Sequence, residues 1–210
     1  MPVFKTIHHN TQTEILVWKI TETLDELKSS TSLRDTSQIR LDGMKSESHQ
    51  RGFLSVRKLL QERGYSDFDL FYDEFGKPHL KDGRHISISH SHLFSSIILS
   101  DENCGIDLEM QRHKIISIAH KFADEESDFL SKTEQIQYIR QLTVIWGAKE
   151  AIFKIRNEVG ISFKDHIHVN PFTIDSKKAV AILKFGSLLL KYDIFFDEVE
   201  DYTIVYAFQQ

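Results

Sequence analysis

The longest helical stretch of the chain, "KIISIAHKFADEESDFLSKTEQIQYIRQLTVIWGAKEAIFKIRN", is followed by three β-rich runs within "AVAILKFGSLLLKYDIFFDEVEDYTIVYAF". The first reads as mostly helical and the second as strands, so this half of the chain mixes the two. The helical stretch breaks near Ala123, where Asp124 is placed to cap a new helix ahead of "EESDFL". Polar or glycine breaks separate the three β-rich runs.

The first half repeats the mixture. "TEILVWKIT" alternates like a strand with one face buried, and "LDELKSSTSL" follows as a short helical piece. From Ser46 to Arg63, Phe53, Val56, Leu59 and Leu60 recur at helical spacing, with Gly64 as a stop and Arg51, Arg57 and Lys58 on the other face. "FDLFYDEFGKPHL" reads as strand, Gly-Lys-Pro turn and strand. "HISISHSH", "SSIILS" and "NCGIDLEMQRH" supply further strands. The expected class is α+β. No repeat, low-complexity segment or flexible linker divides the chain, so the boundary should be compact and fall near Asn103, giving halves 1–103 and 104–210.

Composition excludes several functions. The 31 acidic against 26 basic side chains leave a formal charge of −5, which argues against a nucleic-acid partner, so a bound anion must meet a local basic cluster. Cys104 is the single cysteine, which rules out an intrachain disulfide and a thiolate zinc cluster. No apolar run approaches the ~18–20 residues of a membrane span and the start lacks a signal-peptide pattern, so a cytoplasmic protein without membrane attachment is expected.

Three constellations carry chemistry. In "WGAKEAIFK", Trp146, Glu150 and Lys154 fall at i, i+4 and i+8 on one helical stripe, with Lys149 on a neighbouring one. Taken alone, the Glu150 and Lys154 pair is an ordinary helix-surface contact worth ~0.2–0.5 kcal/mol. In "GIDLE", period 2 places Asp107 and Glu109 on one strand face, where two carboxylates suit a hard cation. Glu150 adds a third carboxylate. Mg²⁺ held by carboxylates and phosphate oxygens is the standard way to neutralise a diphosphate, beside which a lysine such as Lys154 would hold a phosphate oxygen. "SISHSH", close after the "GKP" turn, offers hydroxyls and a histidine to an anion. His90 and His92, like His166 and His168, also have the spacing of a zinc pair, but nothing supplies a third ligand.

Together and in this order, "FGKPHL", "ISISHS", "GIDLE" and "WGAKEAIFK" resemble the motifs of the 4'-phosphopantetheinyl transferases, in their surfactin-type monomeric branch. "KFADEESDFL" resembles the family's helix start and "GISFKDHIHV" its "GLSLPLDDFEV" strand entry, so the resemblance covers roughly residues 40 to 170. It implies two similar halves, each a small antiparallel sheet with one long helix, related by a pseudo-twofold around the active site. The implied reaction moves the phosphopantetheine arm of coenzyme A onto a serine of an apo acyl or peptidyl carrier protein, with Mg²⁺ as cofactor and adenosine 3',5'-bisphosphate as product.

Carried over, Asp107, Glu109 and Glu150 are the metal carboxylates. Glu150 also accepts the serine proton, directly or through water, and Lys154 steadies the diphosphate. Lys77, Pro78, Ser89 and His90 match the coenzyme A positions. A basic residue of the first long helix, Arg51 or else Arg57, joins them, with Arg51 as the candidate. Trp146 packs to seat its helix. Gly147 stands where the family commonly carries Ser or Thr; a helical Gly costs ~1 kcal/mol against Ala, and the missing hydroxyl reads as a helix-start contact.

The acidic carrier would dock on the basic "MQRHKIISIAHKF" segment, through Arg112, Lys114 and Lys121 with Ile115, Ile116, Ile118 and Phe122, unless those apolar residues are core. Two other functions fit the same residues: a Mg²⁺-dependent coenzyme A diphosphate hydrolase, and a non-catalytic module that binds coenzyme A or a carrier protein.

Overall fold

The computed structural model describes residues 3–210, which divide into two compact units, one ending at Glu102 and the other running Asn103–Gln210. The fold is α+β, with antiparallel sheets throughout.

In the first unit, β1 (Lys5–His8), β2 (Glu14–Lys19), β5 (His85–Ser91) and β6 (Phe94–Ser100) form a sheet in the order β1-β2-β6-β5. The long helix α3 (Glu47–Gln61) lays Phe53, Leu54, Val56, Leu59 and Leu60 on Leu16, Trp18, Ile97 and Leu99 of that sheet. Two short helices precede it. In α1 (Leu24–Ser29), Thr23 and Glu26 form a reciprocal capping box, while α2 (Asp35–Asp42) had no clear signature in the sequence. β3 (Leu70–Tyr72) and β4 (Pro78–Leu80) make a separate hairpin.

In the second unit, β7 (Cys104–Met110), β8 (Ile167–Val169), β9 (Lys178–Phe185), β10 (Leu188–Val199) and β11 (Tyr202–Gln209) form a sheet in the order β7-β11-β10-β9-β8. The 22-residue helix α5 (Gln135–Arg156) packs along β7 and β11, and α4 (Lys114–Ile118) packs on α5. Apolar residues surround α5 on most sides, as expected of a helix enclosed between layers. The short helix α6 (Phe163–His166) leads into β8.

Two expectations are corrected. The helix foreseen after Asp124 is a short 3₁₀ turn, Glu125–Asp128, and the Asp124 side chain does not cap it but faces Lys164 at 3.4 Å. Gly147 is no helix-start position, because α5 begins twelve residues earlier. A Cβ on Gly147 would stand 2.6 Å from Val205 Cγ2 and 3.0 Å from Val205 Cβ, so the glycine lets α5 lie close on β11. Gly105 does the same for β7, since a Cβ there would fall on the Ala151 carbonyl.

Candidate active site

Gly105, Asp107 and Glu109 share the face of β7 that meets α5. The close approach that Gly105 allows brings the Glu150 and Lys154 stripe of α5 over that face. The Lys154 ammonium donates to Asp107 Oδ1 and to the Ile106 carbonyl, each at 2.8 Å. The Asp107 side chain is only 6% exposed, so this is a partly desolvated pair.

Glu150 lies close enough to feel three charges. Burial, then the Asp107 charge, push its carboxyl up to about 7, and Glu109 adds to the rise while Lys154 opposes it. Three carboxylates and one lysine therefore make an acidic cluster with negative charge in excess. Its donors are all carboxylate oxygen, the chemistry of a hard cation. Among the described residues, no three His, Cys, Asp or Glu side chains converge closely enough to enclose a metal as they stand.

Beside this cluster a groove of about 220 Å³ is lined by Glu109, Met110, Arg112, Lys114, Ile115, Ile118 and Trp146. Trp146 packs edge-on against Phe122, ring centroids 5.1 Å apart, and tilted against Phe163 at 5.5 Å, which seats it as one wall. Ile115, Ile116 and Ile118 are half-buried against the core beneath α4. Phe122 corrects the docking expectation, because it is fully buried in that core and offers no surface to a partner.

The remaining candidates belong to the first unit. Lys77 ends a loop closed by Asp73, whose Oδ1 accepts from the backbone N–H groups of Phe75 and Lys77 at 3.0 and 2.9 Å. Gly76 takes φ +83° there and Pro78 opens β4. The His79 hydrogen bond, then the Lys77 backbone bond, hold the Asp73 carboxyl below its usual range. Ser89 and His90 follow one another on β5, so they point to opposite faces: Ser89 is buried and His90 exposed.

Sequence reasoning missed what seats His90. It lies over Gly52 of α3, where a Cβ would come within 3.0 Å of His90 Nδ1, and the ring of His49 is 6.0 Å away. The available signal was a lone glycine inside a helical pattern. Burial separates the two arginines. Arg57 is 2% exposed, pairs with Asp67 Oδ1 at 3.0 Å and donates to the Phe53 carbonyl, so it is a core residue. Arg51 is partly exposed and donates to the Ile20 carbonyl at 3.3 Å. At the second histidine pair, His166 Nδ1 accepts from the Ser162 N–H at 2.8 Å and His168 faces Glu125 at 3.5 Å.

The α+β unit thus brings Asp107 and Glu109 of β7 towards Glu150 and Lys154 of α5, within the part of the chain that shows its family. The chain belongs to the 4'-phosphopantetheinyl transferase superfamily, whose family model matches residues 103–207. It is similar to the 4'-phosphopantetheinyl transferase gsp of Aneurinibacillus migulanus, with 28% identity over 136 residues, 63% of this chain and 55% of that protein. The chain thus spans about half the length of the curated relative it matches.

Proposed function

We propose that the protein transfers the 4'-phosphopantetheine arm of coenzyme A to a serine of an apo acyl or peptidyl carrier protein, releasing adenosine 3',5'-bisphosphate. The observation that carries this reading is the Asp107, Glu109, Glu150 and Lys154 cluster inside the segment that the family model matches. In balanced form, the serine oxygen bonds to the diphosphate phosphorus nearer the pantetheine, and the bond from that phosphorus to the bridging oxygen breaks. The serine proton goes to Glu150, directly or through one water. Without a metal that carboxyl sits at about 7, and a bound cation would lower it towards the ionised form that accepts a proton.

Mg²⁺ fits the donor chemistry of Asp107, Glu109 and Glu150, and when bound it supplies charge neutralisation on the diphosphate. Lys154 would exchange its Asp107 contact for a phosphate oxygen as charge builds there. Lys77, Pro78, Ser89, His90 and Arg51 are the proposed coenzyme A contacts of the first unit. The acceptor is proposed to approach through the groove between Glu109 and Trp146, where Arg112 and Lys114 suit an acidic partner and Ile115 and Ile118 an apolar helix face. The proposed setting is the cytoplasm, with the protein acting as a monomer. Among the described residues no helix is long and apolar enough to cross a membrane.

The test is incubation with coenzyme A, Mg²⁺ and a panel of apo carrier proteins, read by intact mass. A gain of one phosphopantetheine arm supports transfer. Release of adenosine 3',5'-bisphosphate without any carrier would instead indicate a diphosphate hydrolase, and binding without turnover a non-catalytic module.

A further inference from the structure

Lys149 precedes Glu150 in the chain, yet its side chain is 0% exposed. Its ammonium meets the Glu126 carboxylate at 2.7 Å and the carbonyls of Phe122 and Phe163 at 2.6 and 3.0 Å. Three N–H donors find three acceptors, which leaves none for a substrate. Glu126 is 1% exposed and accepts from the backbone N–H groups of Asp124 and Val169 at 3.1 and 3.0 Å. One ion pair thus ties α5 to the segment after α4, to the start of α6 and to β8. Desolvation largely cancels the attraction within such a pair, so the charges add little net stability beyond the backbone hydrogen bonds that they make. Position is what the charges add.

The position concerned is that of Trp146. Phe122 and Phe163, whose carbonyls Lys149 holds, are the residues whose rings flank the indole. Lys149 lies three residues after Trp146, just under one helical turn, so ammonium and indole grip the same two residues from one helix. Trp146 is in turn a wall of the groove beside Glu109.

We propose that the Lys149–Glu126 ion pair fixes the Trp146 wall of this groove, which makes both residues positioning residues for the carrier-protein acceptor. This rests on the reading of the groove as the acceptor path. The test uses the full chain carrying Trp18→Phe, so that Trp146 is the only one of the two tryptophans left. Lys149→Met with Glu126→Leu removes both charges at similar volume. Expected, in the folded protein below its lowered melting temperature, are greater acrylamide quenching of Trp146 and an apparent KM for the apo carrier raised roughly tenfold or more, as misplacing a positioning group does. The KM for coenzyme A should not change.

Should the double variant fold poorly, Glu126→Gln removes the charge while keeping one acceptor oxygen, at the cost of one of the two backbone contacts, and should show the same split at smaller size. Unchanged quenching overturns the proposal whatever the kinetics. Greater quenching with an unchanged carrier KM, in an enzyme that still modifies carriers, overturns the acceptor role of the groove and leaves the transferase reading intact. No transfer by the parent protein overturns that reading itself.

Discussion

Burial and the neighbouring charges of Asp107 and Glu109 hold the Glu150 carboxyl at about 7, against an ordinary value near 4.5. A folded-state pKa above the unfolded one means that the fold binds the proton more tightly. The associated stability is fully present below about pH 4.5 and is lost as pH rises through about 7. Glu150→Gln cannot ionise. In metal-free buffer it should therefore be more stable than wild type above pH 7, by at most ~3 kcal/mol and less for a partly exposed group, with the gap closing towards pH 4.5. Transfer activity should be lost in the same variant. Thermal melts across pH decide the first part, and a gap independent of pH would refute it. At His90 the close neighbour on α3 is Gly52. Gly52→Ala should raise helix stability by about 0.5–1 kcal/mol on propensity alone, yet push the imidazole off its seat. Melting temperature should hold or rise while the KM for coenzyme A increases and the KM for the carrier does not. Steady-state kinetics with each substrate varied in turn would show it.

The contact between α5 and β7 is the element on which the acidic cluster depends. A methyl group at Gly105 would overlap the Ala151 carbonyl, a backbone atom that cannot swing aside. Gly105→Ala should then cost about 1–3 kcal/mol in overpacking and lower kcat by lifting Glu150 away from Asp107. A variant with wild-type stability and turnover would show that the helix has room to spare. Much of this was legible beforehand. Period 2 in "GIDLE" paired Asp107 with Glu109, and period 3.6 put Glu150 and Lys154 on one stripe. The three terminal strands and the long helix α3 also follow from their patterns. What stayed hidden depends on partners distant in the chain. Lys149 looks like any helix-surface lysine until Glu126 and the Phe163 carbonyl close on it, and Arg57 looks exposed until Asp67 buries it. Edge strand β1 and helix α2 are short and weakly patterned, so packing rather than propensity places them.

For the molecule as a whole, a formal charge of −5 would repel at long range the acidic carrier proposed as acceptor, whose docking would then rely on a local field. Lys114 and Lys121 are both exposed on the segment after β7, and Lys114 also lines the groove. Lys114→Glu with Lys121→Glu should raise the carrier KM severalfold at low salt, with the effect shrinking as ionic strength rises and the coenzyme A KM unmoved. Carrier kinetics that match wild type at low salt would place docking elsewhere.

The contact of Gly147 with Val205 has a consequence for how such chains diverge. A serine or threonine at 147 is blocked while Val205 stands 2.6 Å from the new Cβ, so the two positions cannot drift independently. Gly147→Ser alone should be poorly tolerated, and Val205→Ala should restore it, a coupling readable as non-additive melting shifts. Across related sequences the hydroxyl should then appear only where the facing strand residue has already become smaller, and the order of those two substitutions would be a fixed feature of the lineage.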